Sequence, residues 1–168
     1  MRVCSFDIGT KNFAFVIIGE FLIEPIVVKA DISGIAGNQV ELRMNLMKIL
    51  EAHMQEFISV DVFLIEQQYY STRNGKANLI CIRLAEVVYS WLIDQFGNYR
   101  VIQYYPSRSK YSVLQAPKGM NYRTRKNWSI QKCIELGYSN TLEKYEKQDD
   151  ISDCILIIEA FLKQNKRL

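Results

Sequence analysis

The chain has one histidine, His53, and only four cysteines in 168 residues. With no C-x-x-C pair and no second histidine, a zinc centre has no ligand set. Cys4, Cys81, Cys133 and Cys154 read instead as small buried hydrophobes. No apolar run is long enough to span a bilayer, so a membrane partner is not expected. A basic leader with a signal core is missing, as is an Arg/Ser-rich transit segment, which points to an intracellular, reducing setting. Internal repeats, low-complexity tracts and linkers are also missing. Residues 1–168 are therefore expected to form one domain.

What is present is ordinary in amount and uneven in placement. Hydrophobic residues make up 49% and charged residues 23%, the balance of a globular chain. Net charge is only +3. Yet from Tyr105 to Lys132 there is no acid, while Arg108, Lys110, Lys118, Arg123, Arg125, Lys126 and Lys132 carry seven positive charges. The rest of the chain is net negative. A segregated basic stretch interleaved with aromatics is the footprint of a polyanion partner. A solvated lysine-rich loop is the plainer alternative.

Hydrophobic periodicity predicts three opening strands, Arg2 to Phe6, Phe13 to Ile18 and Pro25 to Ala30, arranged as a meander. A helix is expected from Asn38 to Phe57, then a short apolar strand from Val60 to Ile65. Strand, helix and strand form a right-handed crossover, which makes that strand parallel to the first. Residues 76–96 predict a long helix that is apolar on most faces and must be covered on most faces. Arg100 to Tyr104 predicts another strand. The basic stretch is expected to be irregular until Tyr122 and helical from there to Leu136. A last helix runs from Asp149 to Leu162. The order βββαβαβαα indicates an α/β domain with a mixed five-stranded sheet.

Three acidic features fall on this framework with a common logic. Asp7 and Glu66 each end an apolar strand, and Asp150 and Asp153 share one face in the first turn of the last helix. Ligands of open α/β sheets bind beyond the carboxyl ends of parallel strands. Taken singly, Asp7 is a turn former, Glu66 a strand-end charge and Asp149 or Asp150 a helix cap. Taken together they form a carboxylate cluster that requires a cation to offset its repulsion. Hard oxygen donors without His or Cys favour Mg2+ or Mn2+. Two such ions per site suit phosphodiester hydrolysis.

Phe6-Asp7-Ile8-Gly9-Thr10-Lys11-Asn12, Leu64-Ile65-Glu66-Gln67-Gln68 and Asp149-Asp150-Ile151-Ser152-Asp153 resemble the three acidic motifs of RuvC-type Holliday junction resolvases. That family belongs to the ribonuclease H-like superfamily. The doubled aspartate and Tyr122-Arg123-Thr124-Arg125-Lys126 look nearest to its poxvirus and yeast mitochondrial branch. The resemblance implies a ribonuclease H-like fold with helices on both faces of the sheet. It implies a homodimeric, magnesium-dependent endonuclease that cuts a four-way DNA junction symmetrically. If the source is viral, the cytoplasm of the infected cell is the expected location.

Carried over by position, Asp7, Glu66, Asp150 and Asp153 match the metal-binding acids, with Asp149 a second candidate at the third corner. Lys110 and Lys126 fall near the scissile phosphate, Lys126 as a catalytic residue. Tyr69 or Tyr70 is placed to stack on a base of the opened junction. Arg73, Arg108, Lys118, Arg123 and Arg125 complete the expected DNA contacts. Helix 76–96 is the expected dimer interface, and two-fold symmetry would match two opposed cuts. Three other readings compete. An Asp-Ile-Gly-Thr start also opens actin-like ATPases, for whose second domain 168 residues leave no room. A nucleic-acid-binding module with structural acids and a ribonuclease H-like nuclease of other specificity are the remaining two.

Overall fold

The computed structural model describes residues 1–35, 38–69 and 75–165, with the side chains of 75–78 excepted. The meander is present: β1 (Arg2–Asp7) pairs antiparallel with β2 (Phe13–Gly19), and β2 with β3 (Ile26–Ala30). β4 (Val62–Gln67) lies parallel to β1, and β5 (Val101–Pro106) parallel to β4. The sheet order is β3-β2-β1-β4-β5, so the first strand is the central one. It is buried from Val3 to Phe6, as a strand covered on both faces must be.

Register is fixed at both ends of the β1–β4 pair. Phe6 stands beside Ile65 near the carboxyl end. At the other end, the Arg2 N–H donates to the Asp61 carboxylate at 2.7 Å, and the Asp61 N–H donates to the Arg2 carbonyl at 2.9 Å.

Helices cover both faces. One layer is α1 (Gln39–Ala52), α2 (Met54–Ile58) and α3 (Gly75–Phe96). Cys4, Phe6, Phe13, Phe15 and Phe63 meet Leu46, Leu50, Phe57, Val88 and Trp91 there, in an aromatic-rich core. The other layer is α4 (Ser109–Val113), α5 (Tyr122–Glu135), α6 (Ser139–Leu142) and α7 (Asp149–Asn165). α7 crosses β1 and β2, and its Ile151, Cys154, Ile155 and Ile158 are fully buried with Val3, Val16 and Leu64.

Two expected elements differ. The helix expected over 38–57 breaks at His53, whose φ of −110° leaves the helical region and separates α1 from α2. The basic stretch is not irregular throughout, because α4 forms inside it. Lys110 is what hides that turn from the periodicity: a lysine marks a solvent position in a sequence pattern, but here it faces inward with 1% of its surface exposed.

α5 is capped by Asn121, whose side chain accepts the Thr124 N–H at 2.9 Å. Gly137 follows it with φ at +94°, a left-handed conformation that glycine adopts without steric cost.

Candidate active site

Asp7 ends β1 and Glu66 is the last residue but one of its hydrogen-bonded neighbour β4, each one residue beyond the Phe6–Ile65 pair. The two carboxyls are therefore set side by side by sheet register. The first turns of α7 add Asp149, Asp150 and Asp153. α4, leading from β5, adds Lys110.

The electrostatics tie these groups together. Burial pushes the Asp7 carboxyl well above the ordinary carboxylate range, and the charges of Glu66, then Asp153, push it further. Lys110 opposes them, and Asp150 also raises it. Four carboxyls thus share one electrostatic neighbourhood. Lys110 sits within it, its Nζ 3.2 Å from Glu66 Oε1 and 2.9 Å from Asp153 Oδ1. Burial pulls the Lys110 amine down, but Asp153 and Glu66 outweigh it and hold it above the usual lysine value. The Ser129 hydroxyl donates to Asp153 Oδ1 at 3.3 Å.

The doubled aspartate splits its allegiance. Asp150 is gripped by Lys29 from β3 at 2.8 Å and by Lys147 at 3.2 Å. Lys29 also donates to the Lys147 carbonyl at 2.9 Å. Asp149 turns toward α5, where it pairs with Lys126. Burial raises the Asp149 carboxyl, but the bond to Lys126, the charge of Lys126 and that of Lys147 bring it below the ordinary value. The Lys126 ammonium also lies over the Tyr122 ring, 4.9 Å from its centre.

The donor chemistry suits a hard divalent cation: carboxylate oxygens only, crowded enough that Asp7 resists ionisation. Among the described residues, however, no three His, Cys, Asp or Glu side chains are gathered closely enough to hold an ion as they stand. Lysines are interleaved with the acids.

The expected DNA contacts fall into three groups. Arg108, Lys118 and Arg123 are exposed, and Arg125 and Lys126 partly so. Tyr69 is 52% exposed, and its hydroxyl donates to Gln67 at 2.9 Å. Tyr70 and Arg73 lie outside the described residues. Lys110 requires a correction: it was expected on the DNA surface, but its ammonium is buried between two acids and faces no solvent. Lys29 and Lys147 were not anticipated. The spacing of Lys147 three residues before Asp150 was a usable signal. Lys29 is 121 positions from its partner and gave none.

The strand order and the two helical layers define a ribonuclease H-like fold. The fold matches the crystal structure of the fowlpox virus Holliday junction resolvase with a TM-score of 0.62 at 21% identity, covering 98% of this chain and 99% of that one. It also matches Thermus thermophilus RuvC in complex with a Holliday junction substrate, with a TM-score of 0.64 at 11% identity over 99% and 96% of the two chains. In sequence it is 22% identical to uncharacterized protein 97L of Invertebrate iridescent virus 3, over 96% of this chain and 99% of that protein. The chain belongs to the poxvirus A22 protein family, which it matches over residues 1–164.

Proposed function

We propose that this protein is a divalent-metal-dependent endodeoxyribonuclease that resolves four-way DNA junctions by paired, symmetric cuts. The observation that carries this reading is the meeting of Asp7, Glu66, Asp150 and Asp153 in one electrostatic neighbourhood at the carboxyl ends of two adjacent parallel strands. Membership of the poxvirus A22 family and the likeness to a fowlpox virus Holliday junction resolvase and to RuvC in complex with a Holliday junction substrate support the substrate.

In this reading the four acids are the metal ligands. Two Mg2+ ions, or Mn2+ in their place, lend Lewis acidity to the attacking water and the leaving oxygen when bound. The chain supplies the rest. Asp7 and Glu66 stand on the rigid sheet and set the position of the cut. Asp150 and Asp153, on α7, close the site from the second layer. Lys126 lies beside the acids and serves the phosphate being cut. Arg108, Lys118, Arg123 and Arg125 hold the backbone of the arms, and Tyr69 or Tyr70 stacks on an unpaired base. Two copies of the chain provide the two opposed cuts.

The test is cleavage of a four-way junction, a linear duplex and an RNA–DNA hybrid, with magnesium, manganese or chelator. Symmetric nicks confined to the junction and dependent on metal are expected. Asp7→Asn is expected to abolish cutting while junction binding persists, because the basic surface is intact. Equal cutting of linear duplex or hybrid would overturn the junction assignment.

A further inference from the structure

The buried Lys110 has a position that phosphate binding does not explain. Only 1% of its side chain is exposed, and its Nζ lies between Glu66 Oε1 and Asp153 Oδ1 at 3.2 and 2.9 Å. An ammonium has three donors and no acceptor, and in this position its hydrogen-bonding and ionic partners are the two acids, with the centre of the Tyr111 ring 5.5 Å away. α4, which carries it, packs on α7 and β5, so the ammonium is held there by the fold. Nor is Lys110 an isolated case. Lys29 and Lys147 hold Asp150, and Lys126 holds Asp149.

We propose that in the metal-free protein the Lys110 ammonium occupies the place between Glu66 and Asp153 that a divalent ion takes, so that metal loading and displacement of Lys110 are one linked event. This rests on the reading of Glu66 and Asp153 as metal ligands. The physical basis is competition for the same lone pairs. Magnesium binds oxygen at about 2.1 Å, closer than either ammonium contact. A second cation held between the same two oxygens repels it. Lys110 therefore offsets carboxylate repulsion before metal arrives, and weakens the metal's hold when it does. Once displaced, the ammonium is beside the acids, where a substrate phosphate is the nearest anion for it. Metal loading and substrate binding then favour one another.

The test uses Lys110→Met, which keeps the length of the side chain and removes its charge. Manganese binding is measured by calorimetry, and thermal midpoints are measured in chelator and in manganese. The variant is expected to bind manganese on the order of tenfold more tightly than wild type, the size of a lost charge-assisted hydrogen bond. It is also expected to melt lower in chelator and to gain more from manganese. A folded variant with equal or weaker manganese affinity overturns the inference. If the variant does not fold, wild type answers the question through the NMR signal of the Lys110 ammonium, assigned against Lys110→Arg. During a magnesium titration that signal is expected to shift and exchange with solvent, and a signal unchanged at saturation overturns the inference. Wild type that binds no manganese overturns the metal reading itself, and the inference with it. A wild type that binds metal beside a variant that binds it no better overturns the inference alone.

Discussion

Asp149 and Asp150 are adjacent in sequence, share Lys147, and otherwise have different partners. Asp150 raises the Asp7 carboxyl and is also held by Lys29, whereas Asp149 turns to Lys126. Spacing favoured Asp150 as the third-corner ligand and kept Asp149 as a second candidate, because i,i+4 faces the same side of a helix nearly as well as i,i+3. Asp150→Asn is therefore expected to lose cleavage on the order of a hundredfold, at the upper end of what a weakened metal site costs. Asp149→Asn is expected to lose far less in single-turnover assays. Asp149 has a separate signature in acid. Its folded pKa is depressed, so its contribution to stability is full above the unfolded carboxylate range and is lost as pH falls through the folded value. Thermal midpoints of Asp149→Asn and wild type are expected to converge as pH drops below about 4, near the unfolded aspartate value. Asp7, Glu66 and Asp153 could be picked out from strand ends and helix spacing. Lys29 could not, because its partner Asp150 is 121 positions away, and the inward turn of Lys110 was hidden because a sequence pattern treats a lysine as solvated.

At the scale of elements, periodicity located the strands and long helices because their faces are cleanly divided between the two layers of the core. It failed where an inward side chain is charged, as in α4, or where a single backbone angle interrupts an apolar stripe, as at His53. α5 illustrates how local signals serve the site. Its inner face offers Ser129 to Asp153 and Lys126 to Asp149, and its start is set by the Asn121 cap. Asn121→Ala is expected to cost about 1 kcal/mol, the usual value for a lost N-cap. Urea denaturation measures this as a lower midpoint at unchanged slope.

At the scale of the whole molecule, α3 is not fully covered by its own chain. Leu84, Val88 and Leu92 are buried, while Leu79 and Ile93 remain exposed. Beside them α1 and α3 frame a groove of about 530 Å³, lined by Met47, Ile82, Val87 and Trp91 among polar residues. We propose this surface as the dimer interface. Wild type is expected to scatter as a particle of about 40 kDa, twice the 19.6 kDa chain. Val87→Glu is expected to halve that mass and to replace paired cuts with single nicks. A wild-type monomer at assay concentration would remove α3 as an interface.

The clamp between Arg2 and Asp61 has a consequence for how such a chain can change. Side chains alternate along a strand, so a shift of one residue in β1 or β4 sends Asp7 or Glu66 to the opposite face. The hydrogen bonds at Arg2 and Asp61 lie at the far end of the same two strands and hold the registration that keeps both carboxyls together. Insertions and deletions are thus barred from both strands by the chemistry at one end and the ladder at the other. Length variation among functional descendants of this sequence has to accumulate in the connections, while the spacing from Arg2 to Asp7 and from Asp61 to Glu66 stays the same.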